Sequence, residues 1–172
     1  GQTTPQMLIR FRDDVIETGA SSVVILAGTN DIAGNTGPST DEMILSNIAS
    51  MCDLARANGI RPILCSLVPA HRYSWAKDLR PDERIPRFNA LLRRYAEDKG
   101  ITYVDYFSAM VDRENPDNVN GLPASLSADG VHPNADGYAI MEAQLLKALR
   151  HSEVRSAVRE NSDGIKLMSY NV

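Results

Sequence analysis

The sequence predicts an α/β protein with a parallel sheet between two layers of helices. Strand-like apolar runs alternate along the chain with longer segments whose apolar residues recur at helical spacing, and this alternation is typical of parallel sheets built from right-handed crossovers. The first run, 23–27, is apolar at every position, as expected of a strand that is buried on both faces. A three-layer α/β/α fold follows from these observations.

Each element is predicted from its own pattern. Helices are expected to begin at prolines or capping threonines and to end at glycines, and strands are short apolar runs between them. The last strand alternates apolar with polar residues, which favours the edge of the sheet. The expected order is helix 5–18, strand 23–27, a helix between Thr40 and Gly59, strand 61–67, helix 82–99, strand 102–107, and a final helix ending near His151 with Tyr138, Met141, Leu145, Leu146 and Leu149 inward.

Length and composition point to one ordinary globular domain. The chain has 172 residues, of which 43% are hydrophobic and 23% charged, enough for one well-buried core. We assign 1–151 to this domain and 152–172 to a linker and the start of a following domain. A net charge of −4 without a basic block argues against a nucleic-acid partner, and no apolar run is long enough for a membrane span.

The two cysteines do not suggest a metal site. Cys52 falls in a helical pattern and Cys65 in a strand pattern, so both are interpreted as buried apolar groups. The histidines and carboxylates form no convincing metal cluster, and we expect neither metal nor cofactor. The chain begins with Gly1 and Gln2, and a targeting segment could precede them. Its location therefore stays open, with a lean towards a secreted or periplasmic protein.

The stretch 127–138 carries the strongest chemical signal. Asp129 and His132 are three residues apart in a glycine-containing turn, and Pro133 and Asn134 suit the start of the final helix. A carboxylate this close can hold the Nδ1 proton of the histidine and leave Nε2 as a base, which is the orienting half of a Ser-His-Asp hydrolase. The alternative is a simple helix cap beside a surface histidine.

A second signal follows the first strand. Polar residues delivered by the carboxyl end of a buried parallel strand lie at the rim where ligands bind, and Gly28-Thr29-Asn30-Asp31 occupies that place. An amide there can donate to a developing oxyanion. It can also simply close the turn by bonding nearby backbone. We interpret Asp31 as a brace for this loop.

These two stretches resemble the SGNH hydrolases, also called GDSL-type esterases and lipases. The resemblance covers about residues 1–150 and implies a flavodoxin-like sheet of strand order 2-1-3-4-5. It implies that Asp129 and His132 belong to the triad and that Asn30 serves the oxyanion hole. The opening Gly1-Gln2-Thr3-Thr4 looks like a further family block, which implies a second oxyanion donor at Gly1.

The nucleophilic serine of this family is missing from the sequence. No Gly-Asp-Ser stretch is present, and Ser21, Ser22, Ser39 and Ser66 lack that context, so we assign no nucleophile in this chain. The resemblance also implies that only the last three strands are present, which makes the sheet incomplete and leaves the first strand as an open apolar edge.

Three explanations are open: a separate segment supplies the missing strand, the chain is a truncated product that has lost it, or the chain's own tail fills the gap. Residues 165–172 read as a strand, and in the last case Ser169 would raise the possibility of a permuted triad. The end of this tail, Leu-Met-Ser-Tyr-Asn-Val, also resembles the opening strand of the endonuclease/exonuclease/phosphatase family. An uncovered edge would favour self-association.

The leading hypothesis is a carboxylic ester hydrolase, inactive in this chain alone for lack of a nucleophile. Its substrate would be a small acyl ester of a sugar, a lipid or another alcohol. The main alternative is an inactive binding or interaction module, for which a carbohydrate-binding cleft lined by Tyr73 and Trp75 would fit. A metal-dependent phosphoesterase is a third, weaker hypothesis, and His71 a further catalytic candidate.

Overall fold

The protein is seen here as a computed structural model, which describes residues 1–157 and 167–170 and the side chains of residues 1–150. Its described strands form one parallel sheet of order β3-β2-β1-β4. This confirms the predicted α/β class, and β3 lies at an edge as its alternation predicted. The strands are β1 (Ser22–Ile25), β2 (Arg61–Cys65), β3 (Thr102–Val104) and β4 (Leu167–Tyr170).

The long helices match the predicted ones, and two short helices were not predicted. The described helices are α1 (Thr4–Asp14, followed by a 3-10 turn at Ile16–Thr18), α2 (Thr29–Ile32), α3 (Asp41–Ala57), α4 (Pro81–Lys99), α5 (Tyr106–Met110) and α6 (Ala135–Ala157). The third strand was predicted to reach residue 107. It stops at Val104 because the Asp105 side chain accepts a 2.9 Å hydrogen bond from the Ser108 N–H and caps α5.

Helix α6 differs from its prediction in length and in its buried face. It continues to Ala157 rather than ending near His151, because no glycine or proline occurs between 138 and 163 to stop it. Met141 and Leu149 are buried as predicted, whereas Tyr138 and Leu146 are largely exposed. The helix therefore contacts the sheet along a narrower stripe than its sequence suggested.

The core lies on both faces of the sheet, which explains the unbroken apolar run of the first strand. Val23 and Ile25 of β1 pack with α1, α3 and α4 on one face. Val24 points to the other face and packs with α5 and α6. Because side chains alternate along a strand, both faces of β1 are covered by helices.

The chain's own tail occupies the open edge of β1. Strand β4 pairs in parallel with β1, with Ser169 opposite Val24 and Tyr170 opposite Ile25. Of the three arrangements considered for this edge, the structure shows the one in which the chain's own tail fills it. The remaining parts of the predicted linker, 158–166 and 171–172, lie outside the described residues. Self-association through an uncovered edge stays a prediction. Among the described helices, none has the length and apolar character to cross a bilayer.

Candidate active site

The turn 127–134 brings Asp129 and His132 together. His132 Nδ1 lies 2.6 Å from Asp129 Oδ2. Because an ionised carboxylate can only accept hydrogen bonds, this contact assigns the proton to Nδ1 and leaves Nε2 as the acceptor. Gly130 has φ +77°, a conformation that favours glycine, and it lets the chain reverse between the two side chains.

The second carboxylate oxygen of Asp129 is held by the same turn. Oδ1 accepts the backbone N–H groups of Val131 at 2.9 Å and His132 at 2.8 Å, and the Ser127 hydroxyl lies 3.1 Å away. These bonds, led by the one from the His132 N–H, hold the pKa of Asp129 well below its usual range. The Asp129 and His132 side chains are 49% and 75% exposed, so the pair is open to solvent.

Asn30 lies at the tip of β1, in the first turn of α2. Its Nδ2 donates to the backbone oxygen of Gln2 at 2.9 Å, and its Oδ1 accepts from Asn35 Nδ2 at 3.0 Å. Gly28, with φ +124°, makes the turn into α2, and an added Cβ there would lie 3.2 Å from Ile44. A glycine is therefore required to bring Asn30 to this edge.

Asp31 braces the same loop, as the sequence suggested, and its partner is Thr4. The backbone N–H of Thr4 lies 3.1 and 2.9 Å from the two carboxylate oxygens, and the Thr4 hydroxyl donates to Oδ1 at 2.6 Å. Asp31 is only 4% exposed, and desolvation raises its pKa despite these bonds. Its charge lies at the N-terminus of α1, where the helix dipole favours an anion.

One cleft of about 310 Å³ lies between these elements, and Gly1, Asn30 and His132 all line it. The cleft lies where β1 ends, as expected for a ligand site on a parallel sheet. Asp129 is behind His132 and does not line it. The walls are mostly apolar and include Met7, Leu26, Val68, Val131 and Met141.

The aromatic residues of the loop after β2 divide into different roles. Trp75 is 53% exposed, lines the cleft, and has its ring centroid 6.5 Å from that of His132 at an interplanar angle of 29°. Tyr73 was expected to line the cleft beside it but is fully buried and stacks behind Trp75. His71 Nδ1 contacts the Val119 oxygen at 2.9 Å and does not line the cleft.

Serine side chains are absent from the cleft lining among residues 1–150. Ser22 and Ser66 are buried, and the Ser66 hydroxyl accepts the Phe107 N–H at 2.8 Å. The register of β4 places Ser169 opposite Val24, three residues before Ala27 and so about 10 Å short of the rim along a strand.

The cysteines behave as predicted. Cys52 and Cys65 are buried free thiols, and burial raises the pKa of both to about 12, which disfavours a nucleophilic thiolate. Within the described part of the chain, no group of three or more His, Cys, Asp or Glu side chains is arranged to hold a metal ion.

Sequence reasoning missed the residues that hold or shape the site from a distance. Thr4 was seen only in the opening stretch that resembles a family block and precedes the first helix, Met7 only as an apolar residue of that helix, and Met141 only as a member of the stripe of the last helix. Their roles depend on which elements become neighbours in space, and Thr4 and Asp31 are 27 residues apart. The polar pair Thr3-Thr4 before a helix was the one available signal for a contact at this point.

A parallel α/β sheet with an Asp-His pair beside a cleft at its carboxyl edge is an arrangement that suits a hydrolase with a hydroxyl nucleophile. The chain belongs to the GDSL-like Lipase/Acylhydrolase family, whose sequence pattern matches residues 1–140. This confirms the resemblance to the SGNH hydrolases. No curated protein matches the chain.

Solved structures agree with this assignment. A GDSL-like lipase from Bacteroides thetaiotaomicron is 41% identical, with a TM-score of 0.82, and the match covers 88% of this chain and 72% of that one. An acetylxylan esterase from Geobacillus stearothermophilus has a TM-score of 0.67 over 86% of this chain and 68% of its own. At 18% identity, the second similarity concerns the fold alone.

Proposed function

We propose that this protein is the larger part of a carboxylic ester hydrolase that works through an acyl-serine intermediate on small acyl esters. The observation that carries the proposal is the 2.6 Å contact between Asp129 Oδ2 and His132 Nδ1 beside the cleft that Asn30 and Gly1 also line. A carboxylate that orients an imidazole is the activating device of a hydroxyl nucleophile.

In the first half of the proposed cycle, the serine becomes acylated and the alcohol leaves. A serine hydroxyl attacks the ester carbonyl as His132 Nε2 takes its proton, and a new C–O bond forms. The carbonyl oxygen becomes an oxyanion, which the Asn30 amide and the Gly1 nitrogen stabilise by donating hydrogen bonds. The intermediate then collapses, the bond to the alcohol breaks, and His132 returns the proton to the leaving oxygen.

The second half of the cycle repeats the first with water. His132 takes a proton from water as the water oxygen attacks the acyl-serine, and the oxyanion forms at the same donors. Collapse releases the carboxylic acid and restores the serine hydroxyl with the proton from His132. Asp129 stays ionised throughout and stabilises the imidazolium that forms twice.

We propose that the serine comes from a segment outside these 172 residues. This part of the proposal is supported by the lack of any serine with a described side chain in the cleft lining. The family resemblance implies a Gly-Asp-Ser stretch about 30 to 60 residues upstream of Gly1, the room that a strand, a helix and a further strand need. In the whole protein, the strand that carries this serine would take the place beside β1 that β4 holds in this chain.

A fluorophosphonate probe, which labels activated serines, tests the proposal. The protein expressed from its whole gene should be labelled at a serine upstream of Gly1, and His132→Ala should abolish the labelling. The 172-residue chain alone should remain unlabelled and should hydrolyse an activated acetyl ester no faster than its His132→Ala variant. Labelling of a serine within this chain would refute the external nucleophile.

A non-catalytic binding module is the second candidate, and the observation that favours it is the exposed Trp75 beside a cleft without a described serine. A module would keep the cleft and bind its ligand without turnover. If the whole gene encodes no upstream Gly-Asp-Ser stretch and its product is never labelled, this candidate replaces the hydrolase.

A further inference from the structure

Among residues 1–150, Trp75 is the one aromatic side chain that lines the cleft and also stacks with the ring of the catalytic candidate His132. More than half of its surface is exposed, and the Trp75 and His132 rings are stacked at a centroid distance of 6.5 Å. Single exposed apolar residues are common on protein surfaces. The position of this one in the cleft, close to the proton-transferring group, is what requires an explanation.

The Trp75 ring is held in place from behind. Tyr73 is fully buried and stacks on it with a centroid distance of 5.1 Å and an interplanar angle of 20°. The backbone closes around the pair in a turn, in which the Ala76 N–H donates to the Tyr73 oxygen at 3.2 Å. A ring held by this stack and still 53% exposed offers a rigid flat surface to a ligand at low entropic cost.

The reaction places the leaving alcohol next to this surface. His132 Nε2 must come within about 3 Å of the alcohol oxygen to return its proton. The carbon skeleton of the alcohol therefore begins beside the His132 ring, whose centroid is 6.5 Å from that of Trp75. The acyl group points towards the oxyanion donors Asn30 and Gly1. The Trp75 ring thus contacts the alcohol part of the ester.

The size and polarity of the cleft narrow the class of alcohol. Its volume of about 310 Å³ is at the lower end of the roughly 300–1,000 Å³ found for ligand pockets, which suits a ring-sized alcohol with a short acyl group. Polar residues, Gln2, Thr29 and Asn30, share the cleft with the aromatic face. A sugar ring matches both features, because its C–H face packs on the electron-rich aromatic face while its hydroxyls reach polar groups.

We propose that Trp75 is the stacking platform for a sugar ring that carries the ester, so that the substrates are carbohydrates bearing short O-acyl groups. The proposal rests on the ester hydrolase function and adds the class of the leaving alcohol. It makes Trp75 a specificity-determining residue whose contribution depends on the alcohol and not on the acyl group.

The first test measures binding with the 172-residue chain itself. Trp75 is its only tryptophan, so intrinsic fluorescence reports on this ring alone. Acetylated methyl glucopyranoside should produce a saturable change in emission, and octyl acetate should not. Calorimetry should show about tenfold weaker sugar binding for Trp75→Ala, with most of the affinity restored in Trp75→Phe. Ile9→Ala, which removes an exposed apolar side chain outside the cleft, should bind as the unmodified chain does.

The second test measures turnover with the protein expressed from its whole gene. In Trp75→Ala, the ratio of kcat/KM for acetylated methyl glucopyranoside to kcat/KM for ethyl acetate should fall about tenfold. An equal loss for both esters would overturn the platform and leave the ester hydrolase standing. If octyl acetate is assayed beside these two esters and Trp75→Ala loses activity selectively on octyl acetate, the platform for a sugar is overturned and the surface binds a lipid alcohol.

The two proposals fail separately. If no ester is hydrolysed but the sugar still saturates the Trp75 signal, the hydrolase proposal fails and the platform survives. If esters are hydrolysed but the sugar neither changes the Trp75 emission nor depends on Trp75 for turnover, the platform fails alone.

Discussion

Asp31 and Asp129 are two carboxylates that each accept hydrogen bonds from backbone N–H and from a hydroxyl, yet their electrostatics are opposite. Asp31 is 4% exposed and desolvation raises its pKa. Asp129 has a 49% exposed side chain, and its hydrogen bonds keep its pKa low. Similar bonding thus gives opposite shifts, because burial penalises the charged form of one carboxylate far more than the other.

This difference indicates which of the two carboxylates can orient a catalytic histidine. The Asp31 partner Thr4 is 27 residues away, so Asp31 joins two elements and fixes the start of α1 beside Asn30. The partners of Asp129 lie within three residues, so the turn itself organises its Oδ1 and leaves Oδ2 for His132. One carboxylate is a structural tie, and the other is an ionised orienting group at the edge of the cleft.

The largest expected effect tests the orienting role. In the protein expressed from its whole gene, His132→Ala should lower kcat for an acetyl ester by about 10⁶-fold because the base is lost, and Asp129→Asn should lower it by about 10⁴-fold because the tautomer of the base is no longer fixed. Asp136→Asn, which changes a carboxylate in the first turn of α6, should keep its activity. Equal activity of Asp129→Asn and the unmodified enzyme would remove the distinction between the two carboxylates.

The next largest effect concerns the amide that Asp31 helps to position. Asn30→Ala should lower kcat by about 10²–10³-fold, the usual effect of removing one oxyanion donor, with a smaller change in KM. Asn35→Ala removes only the bond to Asn30 Oδ1 and should lower kcat much less. A large rise in KM with unchanged kcat in Asn30→Ala would assign this amide to substrate binding instead.

Asp31→Asn should lower the free energy of unfolding by about 1–3 kcal/mol, because the variant presents an N–H₂ group to donors of Thr4. Urea unfolding of the 172-residue chain measures this. Thr4→Val keeps the backbone N–H and removes only the hydroxyl bond, so it should lose less. Unchanged stability of Asp31→Asn would show that the tie between α1 and the β1 tip is not needed.

The pH dependence of stability should have opposite signs at the two carboxylates. The native pKa of Asp31 is raised above its ordinary 3.8, so the native state binds its proton more readily and stability falls as pH rises from 3.8 through the raised pKa. Asp31→Asn should flatten the curve in that window. A curve parallel to that of the unmodified chain would contradict the raised pKa.

For Asp129 the window lies at lower pH. Its native pKa is below 3.8, so its contribution to stability is present above 3.8 and is lost as pH falls towards the native value. Asp129→Asn should reduce this acid-side loss. The effect should be the smallest of the five, since the side chain is half-exposed and solvent screens it. An unchanged acid limb would mean that Asp129 titrates as in the unfolded chain.

Local features of the site followed well from the sequence, and distant ones did not. Asn134 was predicted at the start of the last helix, and its Oδ1 accepts the Gly137 N–H at 3.0 Å. Asp129 and His132 could be paired because a three-residue spacing allows only a few geometries. Tyr73 and Trp75 are only two residues apart, yet Tyr73 is fully buried and Trp75 is 53% exposed, because the packing of the whole loop decides which ring faces the core.

The sequence by itself determined the parallel α/β class, the long helices and the identity of the polar residues at the tips of the sheet, since these depend on local periodicity, caps and short turns. Tertiary structure alone decided that Thr4 meets Asp31, that Trp75 lies over His132 and that the tail strand pairs with β1. Such contacts join residues far apart in the chain, and they form only when burial of both sheet faces has fixed which elements are neighbours.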